Sequence, residues 1–403
     1  MRLFLSKKFP VRNLLIAALL CIIGFSAFQF SQSAVLKVNK GSHIMLLGNN
    51  LGSRMMNYGH FETEMQVRYP DDMLYIRNMC DPGDTPGFRP RSSRFSPWAF
   101  PGADKFQTEY ANKSDSQGTF ESPDEWLTRL KADVIVAFFG YNESFQGPAG
   151  LANYKAELDA FIKHTLNQKY NGTAAPQLAI VSPIAFEDLS GTYDLPNGKK
   201  ENINLSLYAK AMREVAEQNK ILFVDAYTPS QQWYAASKEP LTIDGSQLND
   251  EGYKKLSLLL ADQVFGKTAA KAEANRKLVH AAVQEKNWIW HGDYKIPNGV
   301  HVYGRRYNPF GPDNYPAEIE KIRQMTAIRD TAVWLAASKG KTMDLAAADK
   351  NTRQLPPVKT NFNPEKNGSL TYLYGEEALA KLKVPAGYKI ELFASEKEFP
   401  DLA

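Results

Sequence analysis

The sequence predicts an α/β fold, a three-layer α/β/α sandwich around a five-stranded parallel sheet, with a helical and loop-rich extension at its C-terminal side. Three observations predict it. Short apolar, β-branched runs alternate with amphipathic helical stretches from Val35 to about residue 266, and such alternation gives a parallel sheet covered by helices on both faces. The chain has 403 residues, 43% apolar and 23% charged, which is ordinary globular composition at a length that allows two or three domains. The passage HIMLLGNNLGSRM, His43 to Met55, reads as strand, tight turn and helix, the arrangement that places chemistry at a strand's carboxyl end.

Before the first strand, Arg2, Lys7, Lys8 and Arg12 precede the 15-residue apolar run Leu14 to Phe28, and small residues follow at Ser31 to Ala34. This layout predicts a secretory signal over 1–34 or, if retained, an N-terminal anchor; a full membrane span needs about 20 apolar residues. The location implied is periplasmic or extracellular. Strands are expected at His43 to Leu47, Met73 to Arg77, Asp133 to Phe139, Gln177 to Val181 and Ile221 to Val224. Leu51, Met55, Tyr58, Phe61 and Met65 recur at helical spacing, as do Tyr154, Leu158, Phe161 and Ile162, then Leu207, Tyr208, Ala211, Met212 and Val215. A helix over Leu248 to Val264 closes the alternating domain, 35–266. The extension, 267–340, should comprise a helix over Thr268 to Lys286, an aromatic loop from Asn287, and a helix over Ala317 to Ser338 with Ile319, Ile322, Met325, Ile328 and Leu335 as its apolar stripe. A polar linker follows over 341–383, and 384–403 reads as one strand plus a turn.

Several functions are disfavoured. The formal charge of +4 comes from the four N-terminal cations, so the rest of the chain is neutral and carries no nucleic-acid footprint. Only Cys80 follows the signal, so no internal disulfide is expected in the exported part. No Gly-x-Gly-x-x-Gly follows the first strand, no Cys-x-x-Cys-His occurs, and no paired histidine spacing suggests a metal, so neither cofactor nor metal is expected.

Four loops follow strands: GNNLGSR, RNMCDPGDT, FFGYNES and DGSQLNDEGY. Their order and spacing resemble the four blocks of the SGNH, or GDSL-type, esterase and acylhydrolase superfamily, which implies a flavodoxin-like sheet and ester hydrolysis. In that family the first block is Gly-Asp-Ser-Leu, with serine as nucleophile. Here it reads Gly48, Asn49, Asn50, Leu51, so Asn50 stands at the nucleophile position. The oxyanion-hole positions map to Gly83 and Asn142, and both are retained. The final Asp-x-x-His maps to Asp244 and Gln247, so the base position holds an amide. The C-terminal VPAGYKIELFASEKEFPDLA resembles the opening of the β-propeller of planctomycete and Bacteroidetes-type exported proteins, in which a degenerate SGNH domain precedes propeller and cytochrome modules; that resemblance implies a partner domain outside this chain.

By the family's mechanism the loss of both nucleophile and base removes nearly all turnover, because the members of such a unit act together. The expected function is therefore a non-catalytic module for a small-molecule or glycan ligand, since a cluster of amides both donates to and accepts from hydroxyls. The alternative is an esterase with a rearranged nucleophile, for which Ser53 and Ser246 are the nearest serines. Asn49, Arg54, Glu143, His291 and His301 are ligand-binding candidates; Arg54 suits bidentate contact with an anion or sugar, and the two histidines would reach the site if the aromatic segment folds over the sheet's carboxyl edge. Glu62 and Asp244 are candidate pocket-lining acids on the same argument.

Overall fold

The structure, a computed structural model, describes residues 35–107, 118–363, 371, 373–395 and 397; the expected signal lies outside the described residues. Five parallel strands form one sheet: β1 (His43–Gly48), β2 (Tyr75–Asn78), β3 (Val134–Phe138), β4 (Gln177–Val181) and β5 (Leu222–Val224). Their order is β2-β1-β3-β4-β5, the doubly wound order whose switch point lies between β1 and β3. Ile44 is in register with Val134 and Ile76, and Gly48 with Phe138.

Strand residues alternate between two cores, as period-2 geometry requires. Met45, Leu47, Ile135, Ala137 and Ile180 face α3 (Pro123–Arg129), α4 (Leu151–Leu166) and α5 (Lys199–Asn219). Ile44, Leu46, Val136, Phe138 and Val181 face α1 (Asn50–Tyr58), α2 (His60–Arg68) and, after the short α6 (Tyr227–Ala236), α7 (Asp250–Phe265). The expected first helix is two: Gly59, at φ 68°, caps α1 through its N–H to Met55 O, and the chain restarts at His60.

The extension differs from its sequence-based outline. Arg276–Tyr294 is one helix, α8, so Trp288 to Tyr294 is helical rather than loop. Its aromatic rings lower intrinsic helix propensity, but Trp290 and Tyr294 are buried in the core beside Trp126, and that burial decides the conformation. The last long helix, α9, runs Gly311–Lys339, and its buried face is Ala317, Thr326, Arg329, Asp330, Ala332, Val333, Ala336 and Ala337. Ile319, Ile322, Met325, Ile328 and Leu335 are only half-buried.

These two helices close the free edge of the sheet. The outward carbonyls of the β2 segment accept from them: Leu74 from Trp334 Nε1 at 3.0 Å, Ile76 from Lys286 Nζ at 3.0 Å and Asn78 from Trp290 Nε1 at 2.9 Å. An edge covered in this way cannot pair with another chain. Two buried ion pairs reinforce the seam, Lys286 with Glu62 at 2.5 Å and Arg77 with Asp330 at 2.8 and 2.5 Å. Glu62 is thus a structural partner of Lys286, not a pocket acid.

Compactness divides the chain into a unit ending at Pro356 and a second, Pro357–Ala403. The second unit contains one helix, Gly375–Lys381, and among its described residues a turn at 386–387 but no strand. The strand expected there has no partner strand of its own, which an isolated extended segment needs. Among the described residues no helix is long and apolar enough to cross a membrane.

Candidate ligand-binding site

The turn after β1 is built by sterics and capping. Gly48 has φ 115°, and a Cβ there would lie 2.0 Å from Phe138 O, so only glycine fits. Asn49 then donates its N–H to Phe138 O at 2.9 Å, and its side chain accepts from Leu51 N at 3.1 Å as the N-cap of α1. Asn49 is buried, while Asn50, the first helical residue, is half-buried at the cavity wall.

That cavity, about 110 Å³, brings together Asn49, Asn50, Arg54, Ser246 and Gln247 over walls that include Phe138, Tyr141 and Tyr253. It has room for a few waters or one small substituent of a larger ligand. Gln247 Nε2 donates to Asp244 Oδ2 at 2.7 Å. Burial pushes Asp244 upward, but bonds from Ser246 N, Gln247 N and both side chains outweigh it and hold the carboxyl below its ordinary range. Ser246 Oγ donates to the same carboxylate at 3.0 Å. Arg54 donates one terminal N–H to Tyr58 Oη at 3.0 Å, and its Nε is buried without a partner.

The oxyanion-hole positions lie elsewhere. Gly83, Asn142 and Glu143 line a second cavity of about 240 Å³. Asn142 Nδ2 donates to Pro82 O at 2.9 Å and Asp84 O at 3.1 Å, so its donors are spent on the loop after β2. That loop is in turn pinned by the buried bidentate pair Arg91–Asp84, at 2.7 and 2.8 Å. Glu143 folds back to accept from Gly140 N at 2.8 Å.

His291 sits in the last turn of α8, where burial and then the Lys295 charge depress its pKa; His301 pairs with Asn298 Oδ1 at 2.5 Å. Neither belongs to the lining of the Asn50 cavity. The helix that carries His291 covers the β2 edge, where its Trp290 donates to Asn78 O. Sequence reasoning missed Lys295: its Nζ meets Ser53 Oγ at 2.5 Å and Asp81 at 4.0 Å, and burial lowers its pKa. Ser53 and Lys295 are 242 residues apart, and no spacing rule links them. Among the described residues no group of three or more His, Cys, Asp or Glu could hold a metal.

No protein-family model and no curated protein matches the sequence. Solved structures do. A gut microbial diltiazem-metabolizing enzyme, BT4096, is similar at 14% identity and TM-score 0.41 over 58% of this chain, which spans 48% of that enzyme's length. A putative GDSL-like lipase from Parabacteroides merdae is similar at 13% identity and TM-score 0.41, over 57% of this chain and 99% of its own. The lipase/acylhydrolase from Enterococcus faecalis is similar at 16% identity and TM-score 0.36, over 57% and 98%.

Proposed function

We propose that this chain is an exported, degenerate SGNH-type module that holds a hydroxyl-rich or acylated glycan at the Asn50 cavity without cleaving it. The observation that carries the reading is the Gln247–Asp244 hydrogen bond of 2.7 Å. It keeps the architecture of an acid orienting its neighbour while the neighbour is a group that cannot take up a proton. Asn50 faces the same small cavity with an amide that cannot attack a carbonyl. Together with Arg54, these amides offer donors and acceptors to sugar hydroxyls or to an ester carbonyl.

The test is glycan-array binding of the purified chain beside assays with p-nitrophenyl acetate and acetylated xylan. Binding that Asn50→Ala and Gln247→Ala weaken at least tenfold, with hydrolysis at the buffer rate, is the expected result. Hydrolysis well above buffer would overturn the reading. Export is tested separately by the mass of the N-terminus after expression in a bacterial host, where a start near Val35 is expected.

A second reading is favoured by one observation, the 2.5 Å contact between Ser53 and Lys295. A lysine depressed by burial can serve as base to a serine, which would make this an esterase with a displaced nucleophile. Labelling by a fluorophosphonate probe, lost in both Ser53→Ala and Lys295→Met, would establish it in place of the first; absence of labelling would dismiss it.

A further inference from the structure

The second cavity holds a buried carboxyl group, Glu143, that meets no cation among the described residues. Buried Glu62 meets Lys286, Asp84 meets Arg91 and Asp330 meets Arg77, while buried Glu187 is held by the Leu241 and Thr242 amides and the Thr242 hydroxyl. Glu157, also in this cavity, accepts from Thr85 Oγ1, Gly87 N and Gln107 Nε2 at 2.9 to 3.0 Å and feels the Arg89 charge. Glu143 has only the Gly140 amide on Oε2; its Oε1 is buried without a partner. The Tyr154 hydroxyl, presented by α4 into the same space, is likewise buried and unpartnered. Burial, then the neighbouring Glu157 charge, pushes Glu143 up to about 8, and Tyr154 and Tyr208 are the other titratable groups that face it.

Glu143 Oε1 and Tyr154 Oη, two buried polar atoms without a protein partner at one cavity of about 240 Å³, mark a place where a hydrogen-bonding guest would be held, because buried polar groups are almost always paired. We propose that this cavity binds a small organic ammonium ion, whose N–H groups bond Glu143 Oε1 and Tyr154 Oη while its charge meets the Glu143 carboxylate. A Ca²⁺ ion would want six to eight oxygens with more acid than two carboxylates supply. A neutral hydroxyl guest would bond Glu143 in its protonated form and so bind without proton release. This cavity is separate from the one lined by Asn50, so neither proposal stands or falls with the other.

The experiment is calorimetric titration of the full chain with ethanolamine, and with ethylene glycol as its uncharged counterpart, at pH 6, 7 and 8 in phosphate and in a sulfonate buffer without a primary amine (MES at pH 6, HEPES at pH 7 and 8). Because the guest requires ionised Glu143, affinity for ethanolamine should rise about tenfold from pH 6 to 7 and release close to one proton, read as a difference in heat between the two buffers. Glu143→Gln should weaken binding at least tenfold and Tyr154→Phe several-fold, with melting curves showing both variants folded. The wild-type proton release needs no variant. No binding of ethanolamine at tens of millimolar, equal binding of ethylene glycol, binding without proton release, or undiminished binding by folded Glu143→Gln would each overturn the proposal.

Discussion

At position 247 a carboxamide keeps the hydrogen bond that an imidazole would make to Asp244, and at position 50 another carboxamide faces the same cavity. If these two substitutions alone separate the site from catalysis, restoring them together should restore chemistry. The double variant Asn50→Ser with Gln247→His is expected to hydrolyse p-nitrophenyl acetate about 10²-fold faster than the parent, whereas each single change stays near background, because nucleophile and base act as a unit. A double variant no faster than the singles would show that the oxyanion side is also lost, as the engagement of Asn142 with Pro82 O and Asp84 O suggests. Glu143 makes a second prediction. Its folded pKa lies near 8, above the ordinary 4.5, so the folded state binds a proton that the unfolded chain releases. Stability therefore falls as pH rises between about 4.5 and 8, by a few kcal/mol in all. Glu143→Gln should flatten that slope in urea melts and be the more stable form at pH 9. The approach of Asn50 and Arg54 to one cavity is readable from the sequence because they follow the end of β1, whereas Gln247 reaches it from beyond α6. The direction of Asn142 and Glu143 is not readable there, since backbone groups of Pro82, Asp84 and Gly140 claim their side chains, and which carbonyl lies nearby is decided only when loops meet.

Among the elements, the five strands stand within two residues of where their apolar runs place them, because continuous β-branched runs have few other ways to be buried. The α1/α2 break at Gly59 was hidden under an unbroken helical spacing, and only the left-handed φ of that one residue separates the two helices. The seam of α8 and α9 was misread for a different reason. Its contacts are made by alanine, valine and paired charges, so an apolar-stripe search selects the wrong face of α9. That seam predicts a large and asymmetric effect. Asp330→Ala leaves Arg77 buried without its partner and should destabilise by about 3–5 kcal/mol in chemical denaturation, while Arg77→Met with Asp330→Leu should recover most of the loss. Gly48→Ala belongs to the same scale: a Cβ 2.0 Å from Phe138 O must push β1 away from β3, so a loss of at least about 1–3 kcal/mol is expected at a site that contacts no ligand.

For the molecule as a whole, the division after Pro356 predicts that a chain ending there melts within a few degrees of the full chain, measured by circular dichroism. A chain ending at residue 266 should instead fail to fold, although it holds every strand, because Arg77 on the uncovered β2 edge and Glu62 on α2 would both lose their buried partners. The same pairing sets an order in time. Glu62 is 224 residues ahead of Lys286, and Arg77 is 253 ahead of Asp330. At a translation rate of 5–20 residues per second, the β2 edge waits on the order of 10–50 s for the helices that cover it. During that interval the nascent sheet displays an uncovered strand edge and two charges without counter-ions. Ribosome-bound chains halted before residue 276 should therefore be bound by general chaperones and released once the chain has passed about residue 340.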